Sequence, residues 1–366
     1  MRFTCRICTL IVLLAATVIL SGAGDVRGAY APDHPEYPRL TSRLMGMGGA
    51  GTAWIDDASS IFHNPAGMGR IRTLSVSNAH SRNHFPGARA NLDQLDCDPT
   101  SFIVPLNGGL FGYPIGSAGA GWVLHGELGY DYLTRNDESI PQERLFGMGP
   151  GDRCEGAGFH LWPGGYFGFS HRTSEYLFDS TAVSGLEIKG SNREPGVTSL
   201  EDLDWRRTGE GYTVGLQQTV IPGLQYGTVV EQMDYDYLPY RDGVSSERTK
   251  SRRSGWSIRP TAWLLIARDV EAVSRKEWPS KEEKEILREM WGVEIQLGPW
   301  FAVRWGSFDG HPTSGWSYKI GPWRRDSAWV DGFMYEMVGD FPTNPAPLDD
   351  KRDISDYHAT GFNFGG

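Results

Sequence analysis

Residues 118–133 read AGAGWVLHGELGYDYL, and their period decides the fold. One face takes Ala118, Ala120, Trp122, Leu124, Gly126, Leu128, Tyr130 and Tyr132. The other takes Gly119, Gly121, Val123, His125, Glu127, Gly129, Asp131 and Leu133. Successive side chains of an extended strand point to opposite faces. An apolar side ending in tyrosines, backed by a side with His and two acids, is the alternation of a strand between lipid and an enclosed lumen. The period recurs at 211–220, where Tyr212, Val214, Leu216 and Val220 oppose Thr213, Gln217 and Thr219. It recurs again with Val293, Ile295 and Leu297 against Glu294 and Gln296, and with Phe301, Val303 and Trp305 against Ala302 and Arg304.

Four dipeptides punctuate these runs: Pro163-Gly164, Pro222-Gly223, Gly298-Pro299 and Gly321-Pro322. Glycine supplies positive φ and proline presets a turn, so each reads as a tight hairpin. The polar stretch 234–255 reads as a long connection. Ser280-Lys281-Glu282-Glu283 has the spacing of a capping box and predicts a helix running to Met290. Short turns at one end and long connections at the other predict an all-β, transmembrane antiparallel barrel of about 14 strands, closed by 357–364. A β-sandwich or propeller also alternates, but would not gather aromatics towards strand ends.

The N-terminus sets the compartment. Arg2 and Arg6 precede an apolar run over 7–20, and Ala29-Tyr30-Ala31 has the form of a cleavage site. The run is about 14 residues, short of the roughly 20 a spanning helix needs. We expect residues 1–31 to be a cleaved signal peptide of an exported protein, 32–72 a separate N-terminal segment and 73–366 the barrel. With a formal charge of −10, nucleic acid is not an expected partner. Two of the four cysteines leave with the leader; Cys97 and Cys154 remain, as a disulfide or as two thiols. No metal-ligand spacing, cofactor motif or Gly-x-Ser-x-Gly elbow is present, so an enzyme is not expected.

The block 42–71, SRLMGMGGAGTAWIDDASSIFHNPAGMGRI, follows the leader. Gly46-Met47-Gly48-Gly49-Ala50-Gly51 satisfies G-x-G-x-x-G, but no buried strand precedes it, which a dinucleotide loop requires. Asp56-Asp57 suits a helix start better than an acid–base pair, since adjacent side chains usually point apart. Asn64-Pro65-Ala66-Gly67 then turns the chain.

This block resembles the N-terminal motif of the FadL-type and PorV-type superfamily of outer-membrane barrels. Met47-Gly48-Gly49-Ala50, Asp56-Asp57-Ala58-Ser59 and Asn64-Pro65-Ala66-Gly67-Met68 carry the likeness. A second patch, at 264–271, 291–294 and 301–306, is similar to the C-terminal half of the PorV-like branch. The resemblance implies a 14-stranded bacterial outer-membrane barrel whose N-terminal segment, partly helical, enters the lumen as a hatch. Gly48, Gly49, Ala50, Asp56, Asp57, Asn64, Pro65, Ala66 and Gly67 would form or gate that hatch. Members of the transporting branch pass hydrophobic ligands through a lateral opening or by a shift of the hatch. Two functions are therefore expected as rivals: a channel for small hydrophobic molecules such as fatty acids, surrounded by outer-membrane lipid, or a barrel serving secretion or surface assembly through a periplasmic or surface protein. On the strand faces, His125, Glu127, Asp131, Arg259, Asp269, Glu271, Glu294, Arg304 and Lys319 are assigned to the lumen, where inter-strand ion pairing is the plainer role.

Overall fold

The computed structural model describes residues 41–84, 97–107, 114–125, 146–179, 205–241, 244–279, 283–331 and 356–364. Fourteen antiparallel strands run in chain order: β1 (Ser75–His84), β2 (Cys97–Asn107), β3 (Pro114–His125), β4 (Phe146–Trp162), β5 (Gly165–Asp179), β6 (Trp205–Ile221) and β7 (Leu224–Arg241), then β8 (Val244–Thr261), β9 (Leu264–Trp278), β10 (Glu283–Leu297), β11 (Phe301–Phe308), β12 (His311–Ile320), β13 (Trp323–Asp331) and β14 (Asp356–Phe364). Each pairs with its sequence neighbours, and β1 also pairs with β14 from Val76↔Phe364 to His84↔Asp356, which closes the barrel.

All four Pro-Gly and Gly-Pro pairs are hairpin turns at one end of the wall, and Gly164, Gly223, Gly298 and Gly321 all have positive φ. At the opposite end Asp309-Gly310, both at positive φ, tightly joins β11 to β12. The pleat sorts the side chains as alternation requires. Trp122, Tyr212, Val230 and Trp305 face outward and are exposed, whereas Thr213, Gln217, Glu294 and Arg304 face inward and are buried. Exposed Trp162, Trp263, Trp300 and Trp323 gather at the turn end, and Trp122, Tyr212 and Trp305 lie farther up the wall. Two aromatic levels around an apolar outer band are the pattern of a barrel spanning a bilayer. Beyond the band the outer face turns polar, with pairs such as Arg248–Asp234 and His171–Glu210.

Two expectations need correction, and one open alternative narrows. The run 283–290 is strand β10, paired with β9 from Glu283↔Lys276 onward. Its Arg288 and Met290 are buried inward and Leu287 is exposed, so a period of two under full strand pairing overrides the local helix signal. The stretch 234–255 is mostly strand as well. It continues β7 and β8 past the apolar band, where the outer face is polar and composition no longer marks a strand. Finally, Cys97 pairs in register with His125 of β3, and Cys154 with Gly121 of the same strand. That sets the cysteines two strands and four residues apart, roughly 16 Å by strand spacings. A bridge needs Cα atoms within about 7 Å, so the register does not suit one.

The core sits inside the barrel. Residues 41–71 enter the lumen through helix α1 (Ser42–Gly46), helix α2 (Ser60–His63) and a 3-10 turn (Pro65–Arg70). Leu44, Met47, Ile55, Ile61, Phe62 and Met68 pack there against Ile103, Leu265, Met290 and Phe308 of the wall. The hatch backbone touches the wall where the wall has no side chain. Gly158, Gly168 and Gly215 lie side by side on β4, β5 and β6. A Cβ on Gly168 would come 2.2 Å from the Pro65 carbonyl, and one on Gly215 2.0 Å from the Asn64 side-chain oxygen. On the far wall Gly292 and Gly306 are paired, and a Cβ on Gly292 would come 2.3 Å from the Met47 carbonyl.

Gly168→Val should therefore push the 3-10 turn off β5 at a cost of about 1–3 kcal/mol, the usual size of overpacking. Trypsin cleavage at Arg70 and Arg72 should accelerate while heat-modifiable barrel mobility on a gel is retained. Loss of that mobility would mean that the contact is needed to form the barrel.

Candidate functional site

The site is the seam between hatch and wall. Asn64 begins it locally. Its Oδ1 accepts from the Ala66 amide at 3.1 Å, Pro65 fills the first position of the turn, and Nδ2 donates to the Thr52 carbonyl at 2.6 Å. Asn as a cap followed by Pro is the local chemistry that starts such a turn. The wall then reaches in. Gln217 of β6 donates to the carbonyls of Thr52 (3.1 Å) and Ile55 (3.2 Å). Asp269 of β9 accepts from the amides of Gly51 and Thr52 and from the Thr52 hydroxyl, at 2.9, 2.9 and 2.6 Å. Arg253 of β8 donates to the His63 carbonyl at 2.6 Å.

A closed ring of charges fastens the other side. Arg43 pairs with Glu294 at 3.2 Å, Glu294 with Arg304 at 2.7 Å, and Arg304 with Asp326 at 3.1 Å. Asp326 pairs with Arg324 at 2.8 Å, Arg324 with Asp57 at 2.8 Å, and Asp57 returns to Arg43 at 3.6 Å. Three guanidiniums and three carboxylates alternate, two from the hatch and four from β10, β11 and β13. Arg43 also lies 4.4 Å over the Trp54 ring. Burial works against the Asp57 carboxylate, but Arg324 and Arg43, with a hydrogen bond from Ser59, outweigh it and hold its pKa below the ordinary value. Burial likewise opposes the charge on Arg43, and Glu294, Asp56 and Asp57 outweigh it, raising its pKa.

His63 is the opposite case. Buried beside Arg253, it has its pKa pushed down to about 4, although Asp269 stands 3.9 Å away. It is neutral at neutral pH. Farther along the inner wall Glu271 takes Arg253 and Arg288, and Arg172 bridges Asp152 and Glu231.

Of the residues singled out in the sequence, Asp269, Glu271, Glu294 and Arg304 are buried against the hatch. Gly48 and Gly49 turn the chain after α1 with positive φ, Ala50 is buried, and Gly67 packs against the Ile55 carbonyl. Asp57 belongs to the ring, whereas Asp56 stays partly open to solvent. His125 ends β3, and Glu127 and Asp131 lie outside the described residues. Arg259 and Lys319 line a cavity of about 550 Å³ between the hatch and the turn end of the wall, a vestibule that they share with Asp56, Arg70 and Arg72. Arg43, Gln217, Arg253, Arg324 and Asp326 were not foreseen. Arg324 could have been marked by its place just after the Gly321-Pro322 turn, with Asp326 two residues on along the same face of the strand. Among the described residues no three His, Cys, Asp or Glu side chains are grouped to hold a metal ion.

No protein-family model matches the chain, and no curated protein matches it. Solved structures share its fold. The toluene transporter TodX of P. putida aligns over 89% of this chain and 98% of its own at 12% identity, with a TM-score of 0.53. The Ralstonia pickettii toluene transporter TbuX aligns over 89% and 98% at 13% identity and 0.52. The CymD monoaromatic hydrocarbon channel gives 89%, 97%, 13% and 0.52. At such identities the likeness is one of fold. The 14-stranded antiparallel barrel expected from the sequence is the architecture of this chain, and these three structures share its fold.

Glu294→Gln should leave Arg43 and Arg304 short of a shared carboxylate and cost about 3–5 kcal/mol, as breaking a buried pair does. The shift in urea midpoint measures it. The His63 effect has a definite sign. An unfolded chain binds a proton there below about pH 6.5, and the folded one only near pH 4. Stability is therefore complete above pH 6.5 and falls as pH drops towards 4, by about 3 kcal/mol at 1.36 kcal/mol per unit. His63→Gln should flatten the unfolding profile in that window.

Proposed function

We propose that this chain is a channel of the bacterial outer membrane that passes small hydrophobic molecules, with the leader 1–31 removed on export and the segment 32–72 acting as its hatch. The observation that carries this reading is a closed 14-stranded barrel with an N-terminal segment held inside it, whose fold is shared over 89% of the chain with the transporters of toluene and monoaromatic hydrocarbons above. We prefer it to a partner-serving PorV-like role because the shared architecture is that of channels.

The chemistry of the interior supports a gated path. At the level of the hatch the lumen is crossed by the charged ring, through which an apolar solute would pass only at a large desolvation cost. Above it, Met233, Tyr235 and Tyr237 form a buried cluster on the inner face of β7, with Met233 and Tyr235 covering Gly211 and Gly209 of β6. That strip gives the inner wall an apolar and aromatic stretch on the outer side of the hatch. Onward passage follows either a shift of the hatch from the β4–β6 wall or a lateral exit between strands.

Toluene entry into liposomes containing the full chain tests the reading. Wild type should exceed protein-free liposomes. Asn64→Ala combined with Pro65→Ala, which removes the Thr52 tether and the start of the turn, should raise the flux several-fold with heat-modifiable mobility intact. Equal, background-level flux from both proteins would overturn the channel reading.

A further inference from the structure

The vestibule at the turn end carries more positive charge than its ion pairs account for. Arg43, Arg304 and Arg324 line it but are neutralised within the ring by Asp57, Glu294 and Asp326. Four more cations line the same space: Arg70, Arg72, Arg259 and Lys319. Against them stands one further acid, Asp56, which is 3.6 Å from Arg43 and 44% exposed. Among the described residues none of the four has a carboxylate within ion-pair distance. In a chain with a formal charge of −10, a local excess of three positive charges in one concave space is a built feature.

Two of these cations are held in place by neutral partners. Arg70 donates through Nη1 to Gln225 Oε1 at 3.0 Å and lies 5.6 Å over the Tyr166 ring; Arg72 donates to the Gly69 carbonyl at 2.8 Å. Neither contact neutralises the guanidinium, and each leaves several of its five N–H groups for a ligand. Arg259 and Lys319, on β8 and β12, are exposed to the cavity. Charges of one sign gathered in a concave space focus the field and draw in counter-ions. A space of about 550 Å³ falls in the range of small-molecule sites.

We infer that this vestibule is a binding site for a small organic anion bearing carboxylate or phosphate groups. Fixed guanidiniums grip one end through paired N–H···O bonds, while Arg259 on β8, beside Arg70, and Lys319 on β12 add charge from the wall. The ring arginines stay with their own carboxylates. The site is independent of hydrophobic passage and requires only the fold, so its test is separate from the flux measurement.

The test is calorimetric titration of the full chain in detergent micelles with isophthalate and with inorganic phosphate, and hexaglutamate as the macromolecular comparison. We expect saturable binding of at least one small anion, weakening as salt rises. Arg259→Gln with Lys319→Gln should lower that affinity at least tenfold, and Asp56→Asn should raise it several-fold. Heat-modifiable mobility verifies that each variant forms the barrel. No saturable binding of either small anion, or an affinity unchanged in the double variant, would overturn the inference. Hexaglutamate binding tenfold tighter than both would also overturn it, in favour of an acidic protein segment.

Discussion

Everything inside this barrel depends on bringing backbone against backbone. The hatch is an irregular chain with few regular turns, and its amides and carbonyls must find partners in a space that water fills poorly. The wall meets it with glycine rows, Gly158-Gly168-Gly215 on one side and Gly292-Gly306 on the other, and with side chains long enough to reach its polar groups. Asp269 and Gln217 between them take up two amides, a hydroxyl and two carbonyls. A methyl group at Gly168 or Gly215 would hold these partners apart.

The charged ring has a different role from the glycine rows. Replacing a buried ion network by apolar packing is often neutral or stabilising, while removing one member is costly. Six alternating charges therefore define where the hatch must sit more than they add to its stability. Arg43 and Asp57 can both be satisfied only where Glu294, Arg304, Asp326 and Arg324 already stand. His63 adds a neutral buried group to the same seam, which ties the fit to pH through a single residue.

The barrel was readable because lipid and lumen impose a period of two on β6, β10 and β11, and because Pro-Gly and Gly-Pro pairs mark the hairpins at Gly164, Gly223, Gly298 and Gly321. Where lipid ceases to act on one face the signal fades. For that reason 234–255 resembled a connection and 283–290 a helix, although both are held as strand by their neighbours. The acids at 269, 271 and 294 could be assigned inward from alternation alone. Their partners could not: Arg43 lies 251 residues from Glu294, and Asp57 lies 267 from Arg324. Nothing local links them until the ring closes. The wall glycines were hidden for a related reason, since an inward glycine in a strand shows its purpose only when the backbone it admits is in view.

The pairing of β14 with β1 has a consequence for how such an object is made. Helix α1 packs against β12, β13 and β14, beside the seam where the two ends of the sheet meet, and the 3-10 turn packs against β3 to β6 across the lumen. The hatch is synthesised before any strand, and β14 after all of them. Sealing the sheet around a hatch already seated satisfies both walls in one step. Threading it in afterwards would drag Arg43 and Asp57, charged and stripped of water, past a finished interior. The order of the chain thus favours building the vessel around its stopper.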